Sequence, residues 1–303
     1  MTTRTISVVI TTYNRPLKLM RCIEAAHSQH IKPHEVIVVN DGSTMDYSQF
    51  KLNATKQFEV IWVDQPNGGV SSARNLGASL ATGAFVAFCD DDDYWLPNHI
   101  TVLTDEIIHK KGVPGIYHTY RQDLVGHTVS SPAISRKPEN ATWQEHYVTR
   151  GEMILCCTCM HRDITKFSPF PTGVKYAEDH EQRLIALEKY PCFPIEQRTV
   201  IVDRTDESAT NRPIQEISRI YRRRFQQLFA NPHIRPFIRY GYRQKALFRW
   251  TSLELSEASI SGQKSFLSLW LTLLFRVRSM SNAKTMLLQL IWHYAHNRNK
   301  QTT

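Results

Sequence analysis

The feature that most constrains this chain is an acid run placed directly after an apolar strand. Phe85-Val86-Ala87-Phe88 reads as a short buried strand, and Asp90-Asp91-Asp92-Asp93 follows at its carboxyl end, ahead of Tyr94-Trp95-Leu96-Pro97. Four neighbouring carboxylates repel one another, so a fold gains no stability from choosing them. In open α/β sheets the carboxyl ends of the strands are where ligands bind. A hard divalent cation carrying a diphosphate relieves the repulsion, because Mg²⁺ is usually held by one or two carboxylates together with phosphate oxygens. The plain alternative, a solvated acidic turn, fits less well between a buried strand and Trp95.

From the amino terminus, Ile6-Ser7-Val8-Val9-Ile10-Thr11 is β-branched and apolar on both faces, the pattern of a buried parallel strand. It runs into Thr12-Tyr13-Asn14-Arg15-Pro16, where the proline suits the first turn of a helix expected over 17–29. Glu35 to Asn40 reads as a second strand stopping at Asp41-Gly42-Ser43. A β-α-β unit of this size implies a right-handed crossover and a parallel pair. A third strand is expected over 58–63. Asn67-Gly68-Gly69 then enters a helix for which Ser71 or Ser72 is the candidate cap, and such a Gly-rich entry suits a phosphate neighbourhood. Arg74, in the first turns, opposes the helix dipole; a nearby anion accounts for its placement, as does a surface ion pair.

Beyond the acid run the pattern predicts a helix over 98–111 and a strand over 115–121. A polar stretch over 122–142 suits a hairpin or a flap over the site, and another strand is expected over 153–161. Cys156, Cys157 and Cys159 lack zinc-knuckle spacing and read as small buried strand residues. A loop over 167–176 leads to Ala177-Glu178-Asp179-His180-Glu181 at a helix start, where the dipole stabilises carboxylates. Helix capping by Asp179 is the structural alternative to chemistry there.

The charge is unevenly distributed. The 303-residue chain carries a net +9, yet residues 205–303 hold 16 Lys/Arg against 5 Asp/Glu, leaving the remainder slightly acidic. A basic tail points to an anionic partner such as phosphate, nucleic acid or acidic lipid. No recognition motif for nucleic acid accompanies it, so nucleic acid is excluded as the expected partner. No apolar run approaches the ~20 residues that span a bilayer, and no apolar signal segment precedes the first strand. Six cysteines in a chain of this size form no secreted disulfide framework, so a reducing cytoplasm is expected.

Taken in order and spacing, Val9-Ile10-Thr11-Thr12-Tyr13-Asn14-Arg15-Pro16, Val38-Val39-Asn40-Asp41-Gly42-Ser43, Asn67-Gly68-Gly69 through Ala73-Arg74-Asn75-Leu76-Gly77, the acid run and Glu178-Asp179 resemble the family-two nucleotide-sugar glycosyltransferases. The resemblance covers about residues 5 to 210. It implies a GT-A fold, that is, an α/β Rossmann-like mixed, mostly parallel sheet flanked by helices. Here that domain would occupy 1–210, with a basic helical extension over 211–303. It implies that Thr11 and Tyr13 line the nucleobase pocket, that Asp41 bonds the base edge, and that Arg15 and Arg74 lie near the nucleotide phosphates. Asp90 to Asp92 match the Asp-x-Asp signature: Asp90 and Asp91 on the donor, Asp92 on the metal, Mg²⁺ or Mn²⁺. Asp179 matches the catalytic base of inverting members, with Glu178 beside it. The donor so implied is a nucleotide-diphosphate sugar, expected to be a UDP-sugar, and the acceptor a glycan or glycolipid of the cell envelope.

Two departures accompany the resemblance. Asp203-Arg204-Thr205-Asp206 stands where many members place a His in the metal shell, making Asp206 the available oxygen ligand, unless the metal has no protein ligand there. The Gln-x-x-Arg-Trp segment of processive synthases is missing, since Ala246-Leu247-Phe248-Arg249-Trp250 lacks the Gln, so transfer of a single sugar is expected. In the tail, Arg-flanked apolar segments around Trp270 and Trp292 suit an interfacial helix on an anionic membrane surface. That would make the protein peripheral on the cytoplasmic face. A helical hairpin packed on the catalytic domain, or a homo-oligomer interface, fits these segments equally well. The rival readings are a catalytically inactive nucleotide-sugar-binding scaffold of the same fold and, further off, a nucleic-acid-binding protein.

Overall fold

The computed structural model describes residues 4–150, 153–204, 214–243, 245–247 and 249. The chain divides into two units, Met1–Asn211 and Arg212–Thr303. The first is built on a nine-stranded sheet. Its founding strand, β1 (Ile6–Thr12), is buried at every position, which is why it reads as a continuous apolar run rather than an alternation. α1 (Pro16–His27) begins on the proline and buries Leu19, Cys22, Ile23 and Ala26, one helical face. β2 (Glu35–Asp41), α2 (Ser48–Phe58), β3 (Ile61–Gln65), α3 (Val70–Leu80) and β4 (Phe85–Asp90) follow.

β3, β2, β1 and β4 lie side by side in that order, all parallel. The chain therefore builds outward from β1 on one side, then returns to add β4 on the other. That reversal is the topological switch point at which open α/β sheets bind ligands. The register sets Thr11 beside Asp90 and Thr12 beside Asn40, so the three carboxyl ends meet at one edge.

The rest of the sheet is mixed. β5 (Asp93–Trp95), α4 (His99–His109), β6 (Ile116–Val125), β7 (Thr128–Ser130), α5 (Trp143–Arg150), β8 (Thr158–His161), α6 (Arg162–Phe167), α7 (Glu178–Lys189) and β9 (Cys192–Asp203) complete the unit. β8 runs antiparallel to β4, β6 antiparallel to β8, and β9 parallel to β6, with β5 antiparallel on the far edge. This is the expected α/β architecture of a mixed sheet flanked by helices.

Several local expectations are corrected. The third strand covers Ile61–Gln65, because α2 runs on to Phe58. The strand expected over 153–161 is shortened, with Leu155–Cys157 forming a 3₁₀ turn ahead of β8. All six cysteines are free and buried. The acid run is not one loop: Asp90 ends β4 and Asp93 begins β5, so only two acids occupy the turn. The segment over 122–142 does contain a hairpin, β6 with β7. α3 starts at Val70 with Gly69 as its cap, and neither Ser71 nor Ser72 caps it.

In the second unit α8 (Ile214–Ala230) buries Phe225, Leu228 and Phe229 and exposes Arg219 and Arg223. Asp206 and the apolar segments around Trp270 and Trp292 lie outside the described residues. Among the described residues no helix is long and apolar enough to cross a membrane.

α3 presents a small-residue face to the sheet, and Gly77 sits over β1 and β2. A Cβ there would lie 2.4 Å from Val9 Cγ1 and 3.3 Å from Val39 Cγ2, both on stiff, buried side chains. Gly77→Ala should therefore lift α3 off the sheet and cost ~1–3 kcal/mol of overpacking. A lowered urea midpoint at unchanged slope checks it.

Candidate active site

The β1–α1 loop forms one wall. Asn14 takes a left-handed backbone (φ 55°), which Asn tolerates better than most residues. Its Oδ1 accepts the N–H groups of Thr44 (2.9 Å) and Met45 (3.0 Å), tying this loop to the one after β2. The buried Tyr47 hydroxyl meets Thr12 Oγ1 at 3.0 Å and accepts the Arg15 N–H at 2.7 Å. Thr11 is buried beside Asp90, while the Tyr13 ring is 46% exposed and so presents a face to a ligand.

Asp41 is buried at the end of β2. Its Oδ1 accepts Gly68 N–H (2.9 Å) and Gln65 Nε2–H (2.6 Å), pinning the glycine turn that precedes α3. Gly42 must be glycine, since its φ is 67° and a Cβ would meet Asn67 N at 2.5 Å.

The acids differ in their partners. Asp91 accepts from Thr12 Oγ1 (2.9 Å) and Arg15 Nη1 (3.1 Å), and the same Nη1 reaches Asp92 Oδ2 at 2.9 Å. Burial pushes the Asp91 carboxyl up to about 6 against the pull of Arg15. Burial and the charge of Asp90 raise Asp92 as well. Asp93, wholly buried in β5, is pushed up to about 8 by burial and by Asp92. Arg15 thus shares one guanidinium nitrogen between Asp91 and Asp92, and Lys18 also pulls on Asp92. Hard carboxylate oxygens at the mouth of a switch point fit a divalent cation that completes its shell with phosphate oxygens. Among the described residues no group of three or more His, Cys, Asp or Glu is placed to hold a metal ion.

Arg74 is the hub. Its guanidinium, 6% exposed, donates to Asp90 Oδ1 (2.6 Å) and to Glu178 Oε1 (2.8 Å), and lies over the Phe170 ring at 5.5 Å. The anions that account for its placement are thus two carboxylates of the chain itself. The next residue, Asn75, exchanges two bonds with the Phe170 backbone, 2.8 and 2.9 Å. Arg74 and Asn75 together anchor the loop that delivers α7 to the end of β4.

At the start of α7 the helix cap is Ala177, left-handed at φ 56°, so Asp179 is not the cap. Asp179 instead lies in the first turn, where Oδ1 accepts the His180 N–H (2.8 Å) and Oδ2 accepts Arg183 Nη2–H (2.5 Å). Burial alone would raise its carboxyl, but the charges of Arg183, His180 and Arg74 hold it well below the usual carboxylate range. Glu178 moves the other way, raised by burial and by the charge of Asp179 against the pull of Arg74. The structure thus brings Thr11, Arg15, Asp41, Arg74, Asp90, Asp91, Asp92, Glu178 and Asp179 to one end of the sheet. Tyr47, Gln65 and Arg183 are supporting residues that sequence reasoning did not single out, and Asn75 entered there only within the motif around Arg74.

The family model described as Glycosyl transferase family 2 matches residues 7–167, which includes Arg74 and the acid run but ends before Glu178. An uncharacterized glycosyltransferase of Bacillus subtilis (strain 168), YwdF, is 37% identical over 102 residues, 34% of this chain and 38% of that protein. Chondroitin synthase of Pasteurella multocida (strain Pm70) is 29% identical over 149 residues, 47% of this chain and 15% of that enzyme. The chain thus spans well under two thirds of the length of these relatives. Among solved structures, S. aureus TarS 1–349 in complex with UDP-GlcNAc aligns with a TM-score of 0.63 at 17% identity, covering 88% of this chain and 79% of that one. At that identity it speaks for the fold alone.

The Arg74 hub carries a stability prediction. Removing one partner of a buried ion pair leaves an uncompensated charge, which typically costs ~3–5 kcal/mol. Arg74→Met should cost roughly 3 kcal/mol, the low end, since Asp90 is 31% exposed. Adding Glu178→Gln should recover part of the loss, and a double-mutant cycle by urea denaturation checks the coupling.

Proposed function

The chain belongs to glycosyl transferase family 2, and from that premise we propose an inverting glycosyltransferase that moves a single sugar from a nucleotide-diphosphate sugar to an acceptor hydroxyl. The observation that carries the proposal is the joining, through Arg74, of the β4 acids to the α7 carboxylates at the switch point of the sheet. One end of that constellation suits a diphosphate and the other a nucleophile's proton.

In this reading the donor's base sits against Thr11 and the exposed Tyr13 ring. Asp41 accepts from the base edge through Oδ2, its Oδ1 being taken by Gly68 and Gln65. The UDP-GlcNAc and UDP complexes of TarS support a UDP-sugar as donor. Asp90 and Asp91 face the donor, and Asp92 would hold the divalent cation, Mg²⁺ or Mn²⁺, with Asp206 as a further candidate ligand. Such an ion, when bound, neutralises charge on the departing diphosphate. Arg15, now shared by Asp91 and Asp92, is placed to turn to phosphate.

On the opposite side Asp179 takes the acceptor's proton as the hydroxyl oxygen attacks the anomeric carbon and the diphosphate leaves. One displacement of that kind inverts the anomeric centre. The Asp179 side chain keeps 22% of its exposure, which leaves it within an acceptor's reach, while Glu178 is held by Arg74. The chondroitin synthase relative supports a glycan as acceptor, which we read as a glycan or glycolipid of the cell envelope. Six free cysteines suit work in the cytoplasm, and the basic face of α8 suits an anionic membrane surface.

A panel of UDP-sugars with Mg²⁺ or Mn²⁺, screened for thermal stabilisation and then for UDP release on a glycan acceptor, tests the proposal. No stabilisation and no turnover with any donor would sink it. Asp92→Asn should abolish turnover in a folded enzyme, and chelation should silence the wild type reversibly. Asp41→Ala should weaken UDP binding by about 1.5–3 kcal/mol, the worth of a bond to a charged group, measured by calorimetry. Asp179→Asn should lower kcat by ~10²–10⁴-fold with UDP affinity nearly unchanged.

A further inference from the structure

Arg183 is an unusual residue to find where it is. It lies on α7 one turn beyond Asp179, with none of its side chain exposed, on the buried face of the helix beside Gln182, Leu184 and Leu187. A guanidinium stays protonated at any working pH, so its burial has to be compensated. Two partners do this. The Tyr147 hydroxyl, from α5, accepts from both Nε (3.0 Å) and Nη2 (2.8 Å), and Asp179 Oδ2 accepts from the same Nη2 at 2.5 Å. The Tyr147 ring also stacks on His180, 4.9 Å between centroids and 16° from parallel. Nη1 has no hydrogen-bond partner among the described residues.

The consequences fall on Asp179. Tyr147 fixes the guanidinium plane, and the guanidinium fixes one carboxylate oxygen. The His180 N–H takes one lone pair of the other. Each oxygen of an ionised carboxylate accepts about two bonds, so among the described residues one acceptor site on Oδ1 and one on Oδ2 stay open. Their directions are set by residues that cannot relax, since Arg183 and Tyr147 are fully buried. The charged and titratable groups around Asp179 are Arg183, His180, Arg74, Glu178 and Tyr147. Of these, Arg183 is the permanent charge that touches it.

We propose that Arg183, clamped by Tyr147, is a positioning residue for sugar transfer, holding the Asp179 carboxylate ionised and aimed at the acceptor hydroxyl. The inference rests on the reading of Asp179 as the base. The sign of its effect on pH follows from opposed influences. Burial raises the Asp179 carboxyl and Arg183 opposes this, so a neutral residue at 183 lets the carboxyl rise. The base form is then lost as pH falls through that raised value.

The test uses the full chain, UDP as binding probe and the UDP-sugar found by the screen above. Arg183→Gln should lower kcat by roughly 10²-fold, the scale of a misplaced catalytic group. It should also shift the acidic limb of kcat upward from its wild-type position. UDP affinity should stay within about twofold, because no donor contact is touched. Arg183→Lys and Tyr147→Phe keep the charge but lose the fork or its clamp, so kcat should fall with the wild-type pH profile. They carry the test if the Gln variant does not fold. Titration of the Asp179 carboxyl by ¹³C NMR, assigned with Asp179→Asn, reads the same rise without turnover. Wild-type kcat in Arg183→Gln, or in both charge-keeping variants, overturns the inference. Failure of the base reading looks different: Asp179→Asn would then retain turnover.

Discussion

The arrangement hangs on one buried guanidinium. Arg74 comes from the first turns of α3, yet the carboxylates it joins lie 16 and 104 residues further along the chain. Without a cation between them, Asp90 at the end of β4 and Glu178 at the start of α7 would place two acids in a poorly solvated space beside Asp91 and Asp92. At an effective protein dielectric of about 20, like charges roughly 4 Å apart repel by about 4 kcal/mol. Arg74 turns that repulsion into a link. Because it is rigid on α3, which Gly77 seats closely on β1 and β2, the link also fixes how far α7 stands from the sheet.

The parts of this design that are local were legible in the sequence. β1, β2 and β4 announce themselves because burial on both faces demands unbroken apolar runs, and Pro16 marks α1. The family motifs drew together the residues that the fold assembles at the switch point. What escaped is what depends on distant partners. α2 buries only Ala54, so it carries no helical stripe to read. β9 holds Pro194, Glu196 and Arg198, and takes its place through parallel pairing with β6 across a register shift, which no local pattern predicts. The cysteine stretch reads as strand by composition, but Leu155–Cys157 closes a 3₁₀ turn instead.

The supporting residues escaped for the same reason. Tyr47 and Gln65 look like ordinary polar or aromatic positions until the fold brings them to Thr12 and Asp41. Arg183, an arginine among the charged residues of α7, gives no local sign of burial. A trace was there to find: Asp179 and Arg183 stand four apart, the spacing of helical neighbours. What the spacing hides is that Tyr147, 36 residues away, makes burial of the pair tolerable.

Glu178 and Asp179 are adjacent carboxylates that the structure drives apart, and the split bears on which of them would handle the proton in the proposed transfer. Glu178 is raised and Asp179 lowered, so proton affinity alone favours Glu178 as the stronger base. Geometry favours Asp179, since Glu178 Oε1 is committed to the Arg74 hub and its side chain is 12% exposed against 22%. In a displacement at a sugar carbon, the acceptor hydroxyl becomes strongly acidic as its oxygen bonds to the electron-poor centre. A weak base already ionised and in position then accepts the proton late and downhill. A stronger base that is partly protonated, or that must first leave an arginine, starts at a disadvantage. On that argument, in the proposed transfer the cation that weakens Asp179 as a base is also what makes it available as one.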